Sequence, residues 1–137
     1  MRIGISCYPT IGGSGILATR LGVELAKKGN EIHFITYEPP IEVQGVKHEN
    51  IFFHRVSVVE YPLFKYPPYT IALASKMIQV TQRYHLDLIH VHYAIPHATS
   101  ALLSKLVTGT PYLVTLHGSD VTIIGSDPAY VSINSYS

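Results

Sequence analysis

Tryptophan is absent from the 137-residue sequence, cysteine occurs once, methionine twice, and charged residues make up only 14%. A lone thiol, Cys7, cannot close an internal disulfide, which excludes a small cross-linked secreted scaffold. No apolar run reaches the roughly 18 residues that a membrane span requires, so no membrane association is expected. The opening stretch Met1-Arg2-Ile3-Gly4-Ile5-Ser6-Cys7 is too short and too β-like for a signal peptide, and a cytoplasmic protein is expected. Charge of one sign is also lacking. Ten Lys and Arg against nine Asp and Glu give a net +1, and the basic residues are scattered. A nucleic-acid partner, which selects a basic stripe, is therefore not expected. What the chain does hold is apolar residues, 47% of the total, enough for the core of one domain.

Strand and helix patterns alternate. Ile3 to Cys7 is a short run of β-formers ended by Tyr8-Pro9-Thr10. Ile16 to Lys28 has helical spacing, with Leu17, Leu21 and Leu25 as its apolar stripe, Ser14 as N-cap and Gly29-Asn30 as stop. Glu31 to Tyr37 is a second strand, halted by Pro39-Pro40, and Ile51 to Val59 a third. Three prolines make residues 61–69 a wrapping loop. Thr70 to Tyr84 is a helix with Leu73, Met77, Val80 and Tyr84 on one stripe. Leu86 to His92 is a strand, His97 to Leu106 a helix, and Tyr112 to His117 a last strand. Such alternation predicts an α/β domain, a Rossmann-like parallel sheet with helices on both faces. Ser119 to Ser137 is serine-rich, has no helical period and is expected to be a loop or frayed end.

In open parallel sheets ligands bind beyond the carboxyl ends of the strands. Four segments reach that edge: residues 8–15, 37–40, 92–97 and 117–120. The glycines Gly12, Gly13 and Gly15 allow close backbone approach, and the helix that starts there aims free N–H groups at an anion. The same stretch, Gly13-Ser14-Gly15-Ile16-Leu17-Ala18, fits the dinucleotide pattern G-x-G-x-x-A, with Glu38 placed to bind a ribose. A nicotinamide- or flavin-dependent oxidoreductase is thus an alternative, although residues 8–11 separate the glycines from their strand. His90 and His92 lie on one face of a strand, where a metal pair with His97 or His117 is geometrically open, as is hydrogen bonding within the sheet edge. His117 ends a strand and presents a donor at the cleft mouth. Asp120 either orients that ring or caps the turn through its own backbone. Cys7 is either a small core residue or half of a Cys–His nucleophile pair. No G-x-S-x-G elbow is present, which argues against a serine hydrolase.

Taken in order, residues 4–15, 31–37, 64–69, 90–98 and 115–120 resemble the retaining family-4 glycosyltransferases of the GT-B fold over residues 1 to about 128. The resemblance implies transfer of N-acetylglucosamine from UDP-N-acetylglucosamine to the hydroxyl of L-malate, with retention, as in bacillithiol biosynthesis. It implies small-molecule substrates, no cofactor and no metal. By the same likeness Gly12, Gly13, Ser14 and Gly15 lie beneath the donor diphosphate and the acceptor. Ser14, Tyr93 and Thr115 contact the acceptor, His117 contacts the transferred sugar, and Asp120 acts with it. Ser119 stands where the family pattern has threonine, which keeps the hydroxyl.

The resemblance also sets an expectation about extent. A GT-B enzyme has two Rossmann-like domains, and the second carries most of the nucleotide-sugar site. Residues 1–128 correspond to an incomplete N-terminal, acceptor-side domain, and 129–137 read as an irregular tail. The donor-binding domain has no counterpart in these residues. The chain is therefore expected to be a truncated, frame-shifted or cut reading, inactive alone or a non-catalytic remnant. Its uncovered apolar face leaves room for a homo-oligomer.

Overall fold

The computed structural model describes residues 1–10, 12–40, 43 and 48–137. Five strands, β1 (Arg2–Ser6), β2 (Glu31–Thr36), β3 (Ile51–Arg55), β4 (Leu88–His92) and β5 (Tyr112–Thr115), form one sheet in the order β3-β2-β1-β4-β5. Every pairing is parallel. The helices between them are α1 (Gly13–Lys27), α2 (Tyr69–Tyr84) and α3 (Thr99–Thr108), followed by a single turn α4 (Ser119–Thr122) and a short α5 (Val131–Tyr136). This is the expected Rossmann-like arrangement, and its order puts the carboxyl ends of β1, β4 and β5 side by side. Among the described residues no helix is long and apolar enough to cross a membrane.

Two apolar cores cover the two faces of the sheet. One joins α2 and α3 to Ile35, Ile89 and Val91, with Leu73 and Met77 fully buried and Val80 nearly so, as the helical stripe predicts. The other joins α1 to Ile3, Ile5, Ile32 and Phe34. Here the predicted stripe holds only in part: Leu25 packs against this core and Leu21 is half-buried. Leu17 is 52% exposed, and α1 instead buries Gly15, Ala18, Thr19, Gly22 and Ala26. The cause is volume. Phe34, with no exposed surface, fills the space over the sheet, and a Cβ on Gly22 would stand 2.5 Å from its Cζ. Large side chains on that face of α1 would lift the helix off the strands.

Strand ends fall where partners run out. β3 stops at Arg55 rather than Val59, because Val56 N–H donates to Thr36 O, the last residue of β2, and the ladder has no further acceptor strand. α1 starts at Gly13, with Gly12 in the N-cap position and no side-chain cap, so Ser14 lies inside the first turn instead of capping it. The segment 129–137 is not irregular. Asp127 Oδ1 accepts Ala129 N–H at 2.8 Å, and its carbonyl accepts the amides of Tyr130 and Val131, which launches α5. Tyr112 and Thr99 then fasten the far end: the Tyr112 hydroxyl donates to Ser137 O at 2.6 Å, and Thr99 Oγ1 lies 3.1 Å from Ser137 Oγ. The helix is only six residues long, too short to announce itself by period.

Phe34→Ala removes the largest fully buried side chain. A loss of about 3–5 kcal/mol in unfolding free energy is expected, read from the shift in urea midpoint. Leu17→Ala, at an exposed position, is expected to stay within about 0.5 kcal/mol.

Candidate functional site

The first wall of the cleft is the start of α1. Gly12 O accepts the amides of Gly15 at 3.1 Å and Ile16 at 3.3 Å, so the amides of Gly13 and Ser14 are the open donors of the helix. The three glycines do different jobs. A Cβ on Gly15 would collide with the carbonyl oxygens of Tyr8 and Thr10, the latter at 2.6 Å, whereas one on Gly13 would meet nothing within 4 Å. Gly15 seats the helix against the incoming loop, and exposed Gly13 and half-buried Ser14 leave the helix end open to a ligand. Residues 7–12 separate β1 from α1, far more than the tight pyrophosphate turn of dinucleotide folds. Ile11 lies outside the described residues.

The second wall follows β4. Tyr93 has φ +79° and donates its N–H to Thr115 O at 3.0 Å, which ties the exit of β4 to β5. Its hydroxyl pairs with Ser119 Oγ at 2.8 Å, and its ring meets Tyr8 edge-on at 5.3 Å. Tyr8 in turn donates its hydroxyl to Ile95 O at 2.9 Å, so the glycine loop and the β4 loop are fastened to each other. Between Tyr93 and α3 the chain makes a wide turn over Ala94–Ala98.

The third wall follows β5. Asp120 has no exposure, and its two oxygens are both used: Oδ2 accepts Ala94 N–H and Oδ1 accepts His117 N–H, each at 3.0 Å. Of the two readings of Asp120, ring orientation and a backbone cap, the geometry favours the backbone. Asp120 holds main chain from two loops and leaves the imidazole to another partner. That partner is His92, whose Nδ1 lies 3.2 Å from His117 Nε2. His92 Nε2 is buried with no partner among the described residues. An orphaned N–H costs more than an orphaned lone pair, so the proton of His92 sits on Nδ1 and is donated to His117. His117, when neutral, then carries its own proton on Nδ1 and is a hydrogen-bond donor at the half-buried cleft mouth.

The histidines of β4 stack, with ring centres 4.4 Å apart, but they do not converge on a common point. His90 Nε2 bonds Thr115 Oγ1 at 2.7 Å, so the Thr115 hydroxyl predicted to face an acceptor is already held by the sheet. Among the described residues no group of three His, Cys, Asp or Glu side chains is arranged to hold a metal. Burial pushes His92 down to about 3, helped by His90, His117 and His97 nearby. Burial also pushes His97 down to about 4, only partly offset by backbone at Cys7 and Tyr93. Its ring meets that of Tyr8 edge-on at 4.7 Å. Burial drives the Cys7 thiol up to about 12, which removes it as a nucleophile at neutral pH.

The structure places Gly12 to Gly15, Tyr93, Thr115 and His117 along the one edge formed by the carboxyl ends of β1, β4 and β5, with the β4 exit between the other two. It adds residues that the sequence reading missed. A cavity of about 560 Å³ is lined by Tyr8, Thr70, Tyr93, Ile95, Ile124 and Tyr130. Two of the six come from the segment read as a frayed end. The available signal was the Asp127-Pro128 turn, which returns the chain to the cleft. A further cleft, of about 490 Å³, is lined by the single loop from Glu60 to Pro67 and by none of these strand-end residues.

Residues 11–134 match the model of Glycosyltransferase Family 4. The chain is 53% identical over 131 residues to N-acetyl-alpha-D-glucosaminyl L-malate synthase of Bacillus anthracis, covering 94% of this chain and 34% of that protein. It is 32% identical to an uncharacterized glycosyltransferase of Methanocaldococcus jannaschii, covering 85% of this chain and 31% of that one. The chain thus spans about a third of the length of these curated relatives. Among solved structures, Acinetobacter baumannii MurG superposes with a TM-score of 0.63 at 14% identity, over 84% of this chain and 33% of that one, a likeness of fold.

Asp120→Ala leaves one buried and one part-buried amide unpaired, and a loss of about 2–4 kcal/mol is expected in denaturant unfolding, with Asp120→Asn milder. Gly15→Ala is expected to cost about 1–3 kcal/mol, while Gly13→Ala stays within about 0.5 kcal/mol. The buried histidines set a pH dependence. In the unfolded chain they titrate near 6.5, but in the fold His92 and His97 titrate at about 3 and about 4. The unfolded state therefore binds protons first. Stability from these neutral rings is complete above pH of about 6.5 and is lost as pH falls towards the folded values. Melting temperatures recorded from pH 7.5 to 4.5 should decline steadily below 6.5, and a flat profile would contradict the assignment.

Proposed function

The chain belongs to glycosyltransferase family 4, and from that membership we propose that it forms the acceptor-side wall of an enzyme that moves N-acetylglucosamine from UDP-N-acetylglucosamine to L-malate with retention. The observation that carries this reading is that the open amides of Gly13 and Ser14, beyond β1, and His117, beyond β5, lie on the same carboxyl-end edge of the sheet, with the Tyr93 loop of β4 between them. A helix start offers N–H groups and a positive dipole end, the natural seat for a carboxylate or diphosphate. The name of the Bacillus anthracis relative supplies the N-acetylglucosaminyl group and L-malate, the UDP donor follows from the family resemblance, and the dianionic character of L-malate agrees with that seat.

In the proposed reaction the bond from the sugar's anomeric carbon to the diphosphate oxygen breaks. A bond from that carbon to the malate hydroxyl oxygen forms on the same face, and the hydroxyl proton passes to the departing diphosphate. No protein base is needed. The residues described here then act by position and charge. Gly13 and Ser14 amides hold the anions, and Tyr93 and Thr115 shape the acceptor side. His117 donates from Nδ1 to an oxygen of the transferred sugar. Asp120 and Tyr8 keep those groups at fixed separations.

Backbone amide NMR of the 137-residue chain tests the reading. Titration with L-malate is expected to shift Gly13, Ser14, Tyr93 and His117, and succinate, which lacks the hydroxyl, to shift fewer of them. Absence of any shift at saturating L-malate would sink the acceptor assignment. The same 137 residues are expected to release no UDP from UDP-N-acetylglucosamine plus L-malate. Turnover by them would show that the donor site lies within this sequence.

A further inference from the structure

On the opposite wing of the sheet, the edge strand β3 and helix α2 enclose a cavity of about 130 Å³ lined by His54, Lys76, Gln79, Val80, Arg83 and Tyr84. Lys76, Gln79 and Arg83 recur along one face of α2 at spacings of three and four residues, and His54 faces them from β3. Neither Lys76 nor Arg83 meets a carboxylate among the described residues, and the Arg83 guanidinium lies 5.6 Å over the Tyr84 ring. Two unneutralised cations and an imidazole therefore share a small polar cavity that none of the catalytic-edge residues enters.

His54 does not stand alone. Glu31 Oε1 lies 2.7 Å from His33 Nε2, and His33 Nδ1 lies 2.8 Å from His54 Nε2. The polarity of this relay is fixed at its carboxylate end. Glu31 accepts from His33 Nε2–H, so neutral His33 offers the lone pair of Nδ1, and His54 must donate from Nε2–H. The nitrogen left to His54 for gaining or sharing a proton is Nδ1. The fully buried His33 ring, packed among Phe52, His54 and Tyr84 with centres 4.6–5.1 Å apart, holds the relay in place.

We propose that this cavity, formed by His54, Lys76 and Arg83 and keyed by the Glu31–His33–His54 relay, binds inorganic phosphate. Lys76 and Arg83 supply two cationic donors for phosphate oxygens, Gln79 a neutral one, and His54 Nδ1 either accepts a phosphate hydroxyl or, once protonated, donates to an oxygen. The charged and titratable groups around His54 are Glu31 and His33 from β2, Lys76, Arg83 and Tyr84 from α2, and Arg2 of β1, whose Nε lies 3.8 Å from Glu31 Oε2. Burial, His33 and the two cations hold His54 down to about 4. A bound anion reverses the sign of the nearest field and favours the imidazolium, so occupancy and protonation of His54 rise together.

The test follows the His54 Cε1–H resonance of the 137-residue chain from pH 8 to 4, in chloride and in inorganic phosphate at matched ionic strength. Phosphate is expected to raise the midpoint of His54 saturably, and to shift the Lys76 and Arg83 side-chain signals over the same concentration range. K76Q/R83Q is expected to lose the phosphate effect while its His54 midpoint rises in chloride, because the two repelling cations are gone. R83Q alone, at an exposed position, is expected to weaken phosphate about tenfold. Superimposable curves in the two salts, a saturable phosphate shift that survives in K76Q/R83Q, or one that saturates in R83Q at the same phosphate concentration as in the unaltered chain, would overturn the site.

Discussion

The carboxylate of Asp120 accepts the amides of Ala94 and His117, one from each of the loops that leave β4 and β5, and it does so with no exposure to solvent. In a parallel sheet nothing in the ladder itself fixes how neighbouring exits diverge, because each loop is free once its strand ends. Asp120 removes that freedom. A buried charge with both oxygens satisfied by main-chain N–H groups is costly to disturb from either side. The Tyr93 amide bond to Thr115 and the Tyr8 hydroxyl bond to Ile95 extend the same fastening to β1. The cleft is thus a set of three strand exits tied by hydrogen bonds that are buried or partly buried, with the α1 amides and the His117 ring left over from that tying.

Much of this was legible in the residue pattern, and the failures have physical causes. The stripe Leu73, Met77, Val80 on α2 was readable because a long helix over an open part of the sheet buries its large residues. On α1 the same rule picked the leucines and held only at the flank, with Leu25 against the core and Leu17 outside it, since Phe34 occupies the volume and the helix must present Gly22, Ala18 and Ala26 to the sheet. Periodicity counts apolar residues and does not see the partner's size. β3 ended early because strand length depends on the neighbour that supplies acceptors, which no single segment reveals. α5 is shorter than the window over which period can be judged, and only its Asp127 turn was written locally.

The candidate site was readable at the level of which segments meet, because a parallel sheet sends the ends of β1, β4 and β5 to one edge. The division of labour was not. Spacing alone left Asp120 open between ring partner and turn cap, and pair geometry decided for main chain. Likewise His90 and His92 share a face, yet each is spent on a different partner, Thr115 at the end of β5 and His117 in the loop beyond it. The relay through His33 and His54 was invisible for the same reason: its members come from two strands whose register had to be known.

The seating of α1 on glycine and alanine has a consequence for how this edge can vary. Side chains of nearly no length leave nothing to repack. The distance from helix end to sheet is therefore a fixed ruler, set by backbone contact at Gly15 and ring contact at Gly22. A lineage that needs room for a larger or smaller acceptor cannot find it by adjusting that helix. Room at this edge can change only at the exits of β4 and β5 and in the returning segment that brings Ile124 and Tyr130 to the cavity, while the start of α1 stays at constant depth.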